Sequence, residues 1–207
     1  MRVSKSINGW TLATIAFVFV FSFTACNQPT DSNLAQDEII EEPIVESPVH
    51  EFDEAHKLTE KQIASAAVTA NQVDVNYGKI ALVKSKNEEV RKFAETMIKD
   101  HEGIIKTAVD LANKLNLTPD NNNFLTQSLQ DGEKETSKKL NALSGDEFNR
   151  AYIDNEVAYH EAVISAVKDV LIPQSINEEL KSTLTSIVPL LEHHLEMAKM
   201  AQTNMNQ

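Results

Sequence analysis

The fold is decided by Glu88-Glu89-Val90-Arg91-Lys92-Phe93-Ala94-Glu95-Thr96-Met97-Ile98-Lys99-Asp100-His101, which continues through Ile104, Ala108 and Leu111 to Leu115. Its apolar positions, Val90, Ala94, Met97, Ile104, Ala108, Leu111 and Leu115, are spaced by alternating steps of four and three once His101 is counted among them. That spacing keeps one stripe of an α-helix facing a bundle core. Asn87 precedes the stripe, and Glu88 and Glu89 place carboxylates in the first turn, where the helix dipole favours them. Asn116 through Pro119 ends it. The one polar member of the stripe is His101.

The same pattern recurs on either side. Thr59 with Gln62 forms a capping-box pair. It opens a helix with the seam Ile63, Ala66, Ala70, Val73, Tyr77 and Ile80. A shorter helix is expected from about 122 to 143, with Leu125, Leu129, Leu140 and Leu143. Ser144 with Glu147, and Leu143 against Phe148 as a hydrophobic staple, open a fourth helix. Its stripe is Ile153, Val157, His160, Ile164, Val167 and Leu171, and Pro173 is expected to end it. Ser175 with Glu178 opens a fifth, with the seam Leu180, Leu184, Ile187, Leu191, His194, Ala198 and Ala201, and Pro189 is expected to bend it. The fold class is therefore all-α: a four-helix bundle with an additional shorter connecting helix. If that short helix carries the chain back along the bundle, the long helices run up, down, down and up, as in ferritin-like folds.

Composition agrees. The 207 residues are 42% apolar, with only five Gly and six Pro, which disfavours turn-rich β architectures. The net charge is −12 without any basic block, so nucleic acid is excluded as a partner, since phosphate binding needs clustered Lys and Arg. A single cysteine excludes an intramolecular disulfide, a cysteine zinc site and an iron–sulfur cluster.

That cysteine closes a targeting segment. Residues 1–25 begin with Arg2 and Lys5 and contain the short apolar run 12–23, below the roughly 20 residues needed to span a bilayer. The run ends Phe23-Thr24-Ala25-Cys26, which resembles the lipobox of bacterial lipoproteins, with Phe23 in place of the usual Leu. Cys26 is the expected lipidation site, giving a periplasmic or outer-membrane-anchored lipoprotein whose partner is the membrane. Residues 26–57 read as an acidic, disordered tether: from 27 to 56 there are nine acidic residues, no Lys or Arg, and Pro29, Pro43 and Pro48. The helical domain occupies 58–207.

Three long helices each place one histidine on the core seam: His101, His160 and His194. The first helix places Asp74 near its middle, on a strip of small residues (Ala67, Gly78, Ala81) that lets a neighbour approach closely. Glu156 lies one turn before His160. Grouped buried imidazoles are costly unless something organises their lone pairs. One divalent transition metal (Zn, Fe, Mn or Cu) on His101, His160, His194, Asp74 and Glu156 would do so. Hydrogen bonds from Asp74 and Glu156 to the rings are the alternative, in a structural or interaction module. A catalytic enzyme ranks behind both. No nucleophile or acid–base pair is specified, no histidine has Glu three residues before it, and no phosphate-binding or dinucleotide loop is present. His50, His56 and His193 receive no role.

The domain resembles the bacterial domain of unknown function 4142 group, placed among ferritin-like proteins and often labelled predicted outer membrane proteins. The resemblance is carried by Gly78-Lys79-Ile80-Ala81, Val90-Arg91-Lys92-Phe93-Ala94, Met97-Ile98-Lys99-Asp100-His101, Phe148-Asn149-Arg150-Ala151-Tyr152, His160, and Val188-Pro189-Leu190-Leu191 with His194-Leu195. Asp74, Asn149 and Val188 stand where the group usually has Glu, Asp and Leu. Asp74 keeps the carboxylate and shortens its reach. The resemblance implies a ferritin-like bundle in the periplasm and no assigned reaction.

The location reading predicts that a fatty-acid analogue labels the chain in growing cells. Cys26→Ser should abolish both the label and the membrane fractionation; a variant that still labels would refute it.

Overall fold

The computed structural model describes residues 57–205. The targeting segment, Cys26 and the tether through residue 56 lie outside the described residues. Five long helices account for most of the described chain: α1 (Glu60–Lys84), α2 (Glu88–Lys114), α3 (Phe124–Ala142), α4 (Gly145–Ala166) and α5 (Glu178–Met205). No strand occurs among the described residues, so the fold is an all-α bundle. A π-helical stretch, Val167–Leu171, and one further α-turn, Ile172–Gln174, extend α4. Pro173 falls in that last turn, so the helix passes the proline by one residue. The wider π register immediately before Pro173 accommodates a residue that cannot donate the next backbone bond.

Caps fix most boundaries. Thr59 and Gln62 form the reciprocal box on α1. Asn87 Oδ1 accepts from the amides of Glu89 and Val90 at 2.9 and 3.2 Å. Asn123 Oδ1 accepts from Thr126 N at 2.8 Å. Two expected caps are not made. Ser144 precedes α4, but its side chain makes no capping bond, and the adjacent Gly145 has φ +59°, a turn that a side-chain-bearing residue resists. Asn177, not Ser175, caps α5, its Oδ1 accepting from Glu179 N and Leu180 N at 3.1 and 3.0 Å. Ser175 is buried and donates instead to Glu60 Oε2 at 3.1 Å. α5 continues through Pro189 as one helix.

Cross-links establish the directions. Gln62 donates to Asn122 O, Asn76 to Glu133 Oε1 and Lys84 to Asn141 O, so α3 lies parallel along α1. Ser85 donates to Asn149 Oδ1 at 2.7 Å, placing the start of α4 beside the end of α1. At the other end Leu58 N donates to Gln174 Oε1, and Glu60 Oε1 accepts from Ile176 N. The four longest helices thus run α1 up, α2 down, α4 down and α5 up, with α3 as the crossover.

The apolar core has two halves. One contains Ile63, Ala66, Ile104, Leu111, Ile164, Leu184 and Leu191. The other contains Tyr77, Met97, Phe148, Tyr152, Ile153 and Ala198. On each of α1, α2, α4 and α5 the two halves are separated by about one to three turns, and in or beside that gap sit the buried polar residues Asn71, Asp74, His101, Glu156, His160 and His194. α5 starts two residues later than the sequence suggested, which moves its centre toward His194.

Close packing of α1 on α2 makes this layer compact. A Cβ on Gly78 would stand 2.8 Å from Ile98 Cγ1 and 3.3 Å from Ala94 O. A Cβ on Gly103, in the middle of α2, would meet nothing within 4 Å. Gly103→Ala should therefore stabilise the protein by about 0.5–1 kcal/mol through helix propensity. Gly78→Ala should cost about 1–2 kcal/mol because the interface must open. Denaturant midpoints test the pair; equal effects would show that Gly78 is not a contact point.

Candidate metal centre

Helical spacing alone puts His101, His160 and His194 inside the bundle, and packing brings their rings together. The centroids are 5.0 Å apart for His101 and His194, and 5.6 Å for each of the other two pairs. Each histidine can offer one ring nitrogen such that the three lie within 4.8 Å of one another, and Asp74, Glu156 and His160 form a second such group. All five residues are 0–2% exposed. The five side chains thus fall into two groups that share His160. His193, on the next position of α5, faces solvent; His50 and His56 lie outside the described residues.

The protonation of each ring follows from its outer contact. Asn71 Nδ2 donates to Ala67 O at 2.7 Å, so its Oδ1 faces His101 Nδ1, also at 2.7 Å. An amide oxygen only accepts, so His101 carries its proton on Nδ1 and keeps the Nε2 lone pair. His160 Nδ1 donates to Glu156 O at 2.9 Å, which leaves Nε2 free. His194 Nε2 donates to Asp100 Oδ2 at 3.2 Å, which leaves Nδ1 free. The free nitrogens, His101 Nε2, His160 Nε2 and His194 Nδ1, are buried without a hydrogen-bond partner, whereas the carboxyl of Glu156 interacts with that of Asp74 and with the Tyr152 hydroxyl in the same layer. One nitrogen pinned outward and the other aimed inward is the arrangement that orients imidazole ligands.

Asp74 Oδ2 lies 3.6 Å from His101 Nε2 and 3.6 Å from His160 Nε2. That is too long for a hydrogen bond. It is close to the edge of a tetrahedron, about 3.4 Å, whose corners are roughly 2.1 Å from one cation. Asp74, shorter than glutamate by a methylene, thus stands between His101 and His160.

Sequence reasoning missed Asn71, Asp100 and Tyr152. Asn71 sits one turn before Asp74 on the same strip, a signal that was available. Asp100 follows Lys99 on the flank of α2, and only the position of α5 makes it a partner of His194.

Neither a curated protein nor a solved structure matches the sequence. Residues 46–201 match a family described as a domain of unknown function, DUF4142. The chain belongs to the DUF4142 family. In this DUF4142 domain a buried histidine–carboxylate cluster occupies the middle of the bundle.

Burial governs the charge states. It lowers His101 to about 2, helped by the neighbouring His160 and His194, and His160 to about 4, partly offset by its bond to Glu156 O. Burial also lowers His194, with Asp100 opposing. Burial raises Asp74 to about 7, with Glu156 drawing it partly back. Burial raises Glu156 well above the carboxylate range, and the charge of Asp74 adds to that. The three rings are neutral at pH 7, and without a cation the two carboxyls retain protons that free carboxyls lose.

The signs give a pH test on chelated protein. Below the unfolded histidine value of 6.5 the unfolded chain takes up protons that the folded rings refuse, so the histidines lower stability as pH falls from 6.5 toward 4. The carboxyls act oppositely: stability is present below about 4 and lost as pH rises through about 7. Above pH 6.5 only the carboxyl effect remains. Metal-free protein should then lose up to about 1.4 kcal/mol per pH unit for each carboxyl that is still protonated only in the folded state; Asp74 stops contributing as it ionises near 7, so Asp74→Asn should flatten the decline only up to about pH 7 in a denaturant series.

Proposed function

We propose that this DUF4142 protein holds one divalent transition-metal ion between His101, His160, His194 and Asp74, with Glu156 completing the charge balance. The observation that carries this reading is the set of three inward lone pairs, each on a ring whose other nitrogen is held by Asn71, Glu156 O or Asp100. Hydrogen bonding among Asp74, Glu156 and Tyr152 does not reach the rings, since Asp74 Oδ2 stands 3.6 Å from the His101 and His160 nitrogens. Two carboxylates neutralise a divalent ion, which suits a site taken out of water. Imidazole and carboxylate donors suit Zn, Fe, Mn or Cu.

Burial of every donor supports holding the ion rather than turning over a substrate, because a catalytic metal keeps an open position. We read the protein as a metal-holding module of the bacterial envelope, tethered through lipid on Cys26. The support is the positively charged start, the short apolar run and the Phe23-Thr24-Ala25-Cys26 ending. The up, down, down, up order with α3 as crossover supports a ferritin-like bundle.

The test is thermal. Zn²⁺ or another first-row divalent ion should raise the melting temperature and chelator should lower it, with about 2.7 kcal/mol gained at a hundredfold excess over Kd. The gain should shrink as pH falls through about 7, where Asp74 regains its proton in competition with the metal. His194→Ala should abolish the response and His193→Ala should not. A chelator-insensitive melt, with less than about a tenth of an equivalent of metal in native protein, would overturn the reading.

A further inference from the structure

We propose that the groove between α1, α3 and α4 is a binding site for a small, uncharged, largely apolar molecule, independent of the metal. Its volume is about 370 Å³, within the range of small-molecule sites. Leu125 and Leu129 of α3 form one wall, Val163 and Val167 of α4 the other, and Ala66 and Ala70 of α1 the floor. α3 follows α1 and leaves its leucines only half-buried, so the groove between α3 and α4 stays open.

Charge selects the occupant. Glu133 is the one lining residue charged at neutral pH, and its Oε1 already accepts from Asn76 Nδ2 at 2.7 Å. An anionic headgroup would meet that carboxylate with no basic side chain in the lining to compensate, and any ion would lose water against apolar walls. The volume is that of a small molecule, not of a partner helix about 10 Å across.

The polar end abuts the metal centre. Asn71, which orients His101, lines the groove. So does Tyr159, whose ring stands edge-on to Tyr77 at 5.5 Å and to His160 at 6.4 Å, and whose hydroxyl donates to Ala70 O at 2.7 Å. A bound molecule would lie one side chain from the histidines.

The test is photolabelling of the full chain in membranes, using phenyl(trifluoromethyl)diazirine and its anionic benzoate derivative, with adducts mapped by peptide mass spectrometry. The neutral probe should label peptides covering 125–136 and 158–167 several-fold above those carrying the exposed apolar residues Val83 and Ile176. The benzoate should label the groove several-fold less. Ala162→Trp and Ser128→Trp, both at exposed positions on opposite walls, should each remove at least about nine-tenths of the groove adduct with the melting temperature unchanged. Labelling should be the same with and without chelator, so its loss and the loss of metal binding are separate results. Groove labelling that survives both tryptophans, equals the Val83 background, or is as strong with the benzoate would overturn the proposal.

Discussion

The structure depends on a polar layer that cuts its apolar core in two. Three imidazole lone pairs converge there without hydrogen-bond partners, beside the buried carboxyls of Asp74 and Glu156. Each such group costs about 1–3 kcal/mol when left unmet. Together the three rings oppose folding by several kcal/mol, a large share of the net stability of a domain. The proposed cation would offset that cost. A proton retained on Asp74 lowers the charge and offers an O–H, but at 3.6 Å it stays short of a bond to the His101 and His160 nitrogens.

The layer also explains the surrounding polar residues. Asn71, Asp100 and the Glu156 carbonyl each take the outer N–H of one ring, and each is itself placed by helix geometry: Asn71 through Ala67 one turn back, Glu156 one turn before His160, Asp100 from the facing helix. The two aromatic-rich and aliphatic-rich core halves then clamp the layer from both ends. Gly78 contributes at a distance, since α1 and α2 could not approach closely with a side chain there.

Much of this was legible along the chain. The alternating steps of four and three, the Thr59 and Asn87 caps and the low Gly and Pro content specified helices and a bundle, because those signals are local. His101, His160, His194, Asp74 and Glu156 could be singled out because each lies on a seam otherwise apolar. Capping of α4 and α5 was misread for a tertiary reason: Ser175 is drawn away by Glu60, 115 residues earlier, and Gly145 turns the chain so that Ser144 cannot reach back.

Sequence by itself determined the helices, their buried faces and the burial of His101, His160 and His194 on their seams, since periodicity converts directly into facing. Tertiary structure alone decided the rest. It set α3 along α1, which leaves a groove against α4. It brought Asp100 to His194 across two helices, and it fixed the tautomer of each ring through contacts that no spacing encodes. Stagger between helices is set by packing over their whole length, and it is stagger that put four helices' polar residues at one depth.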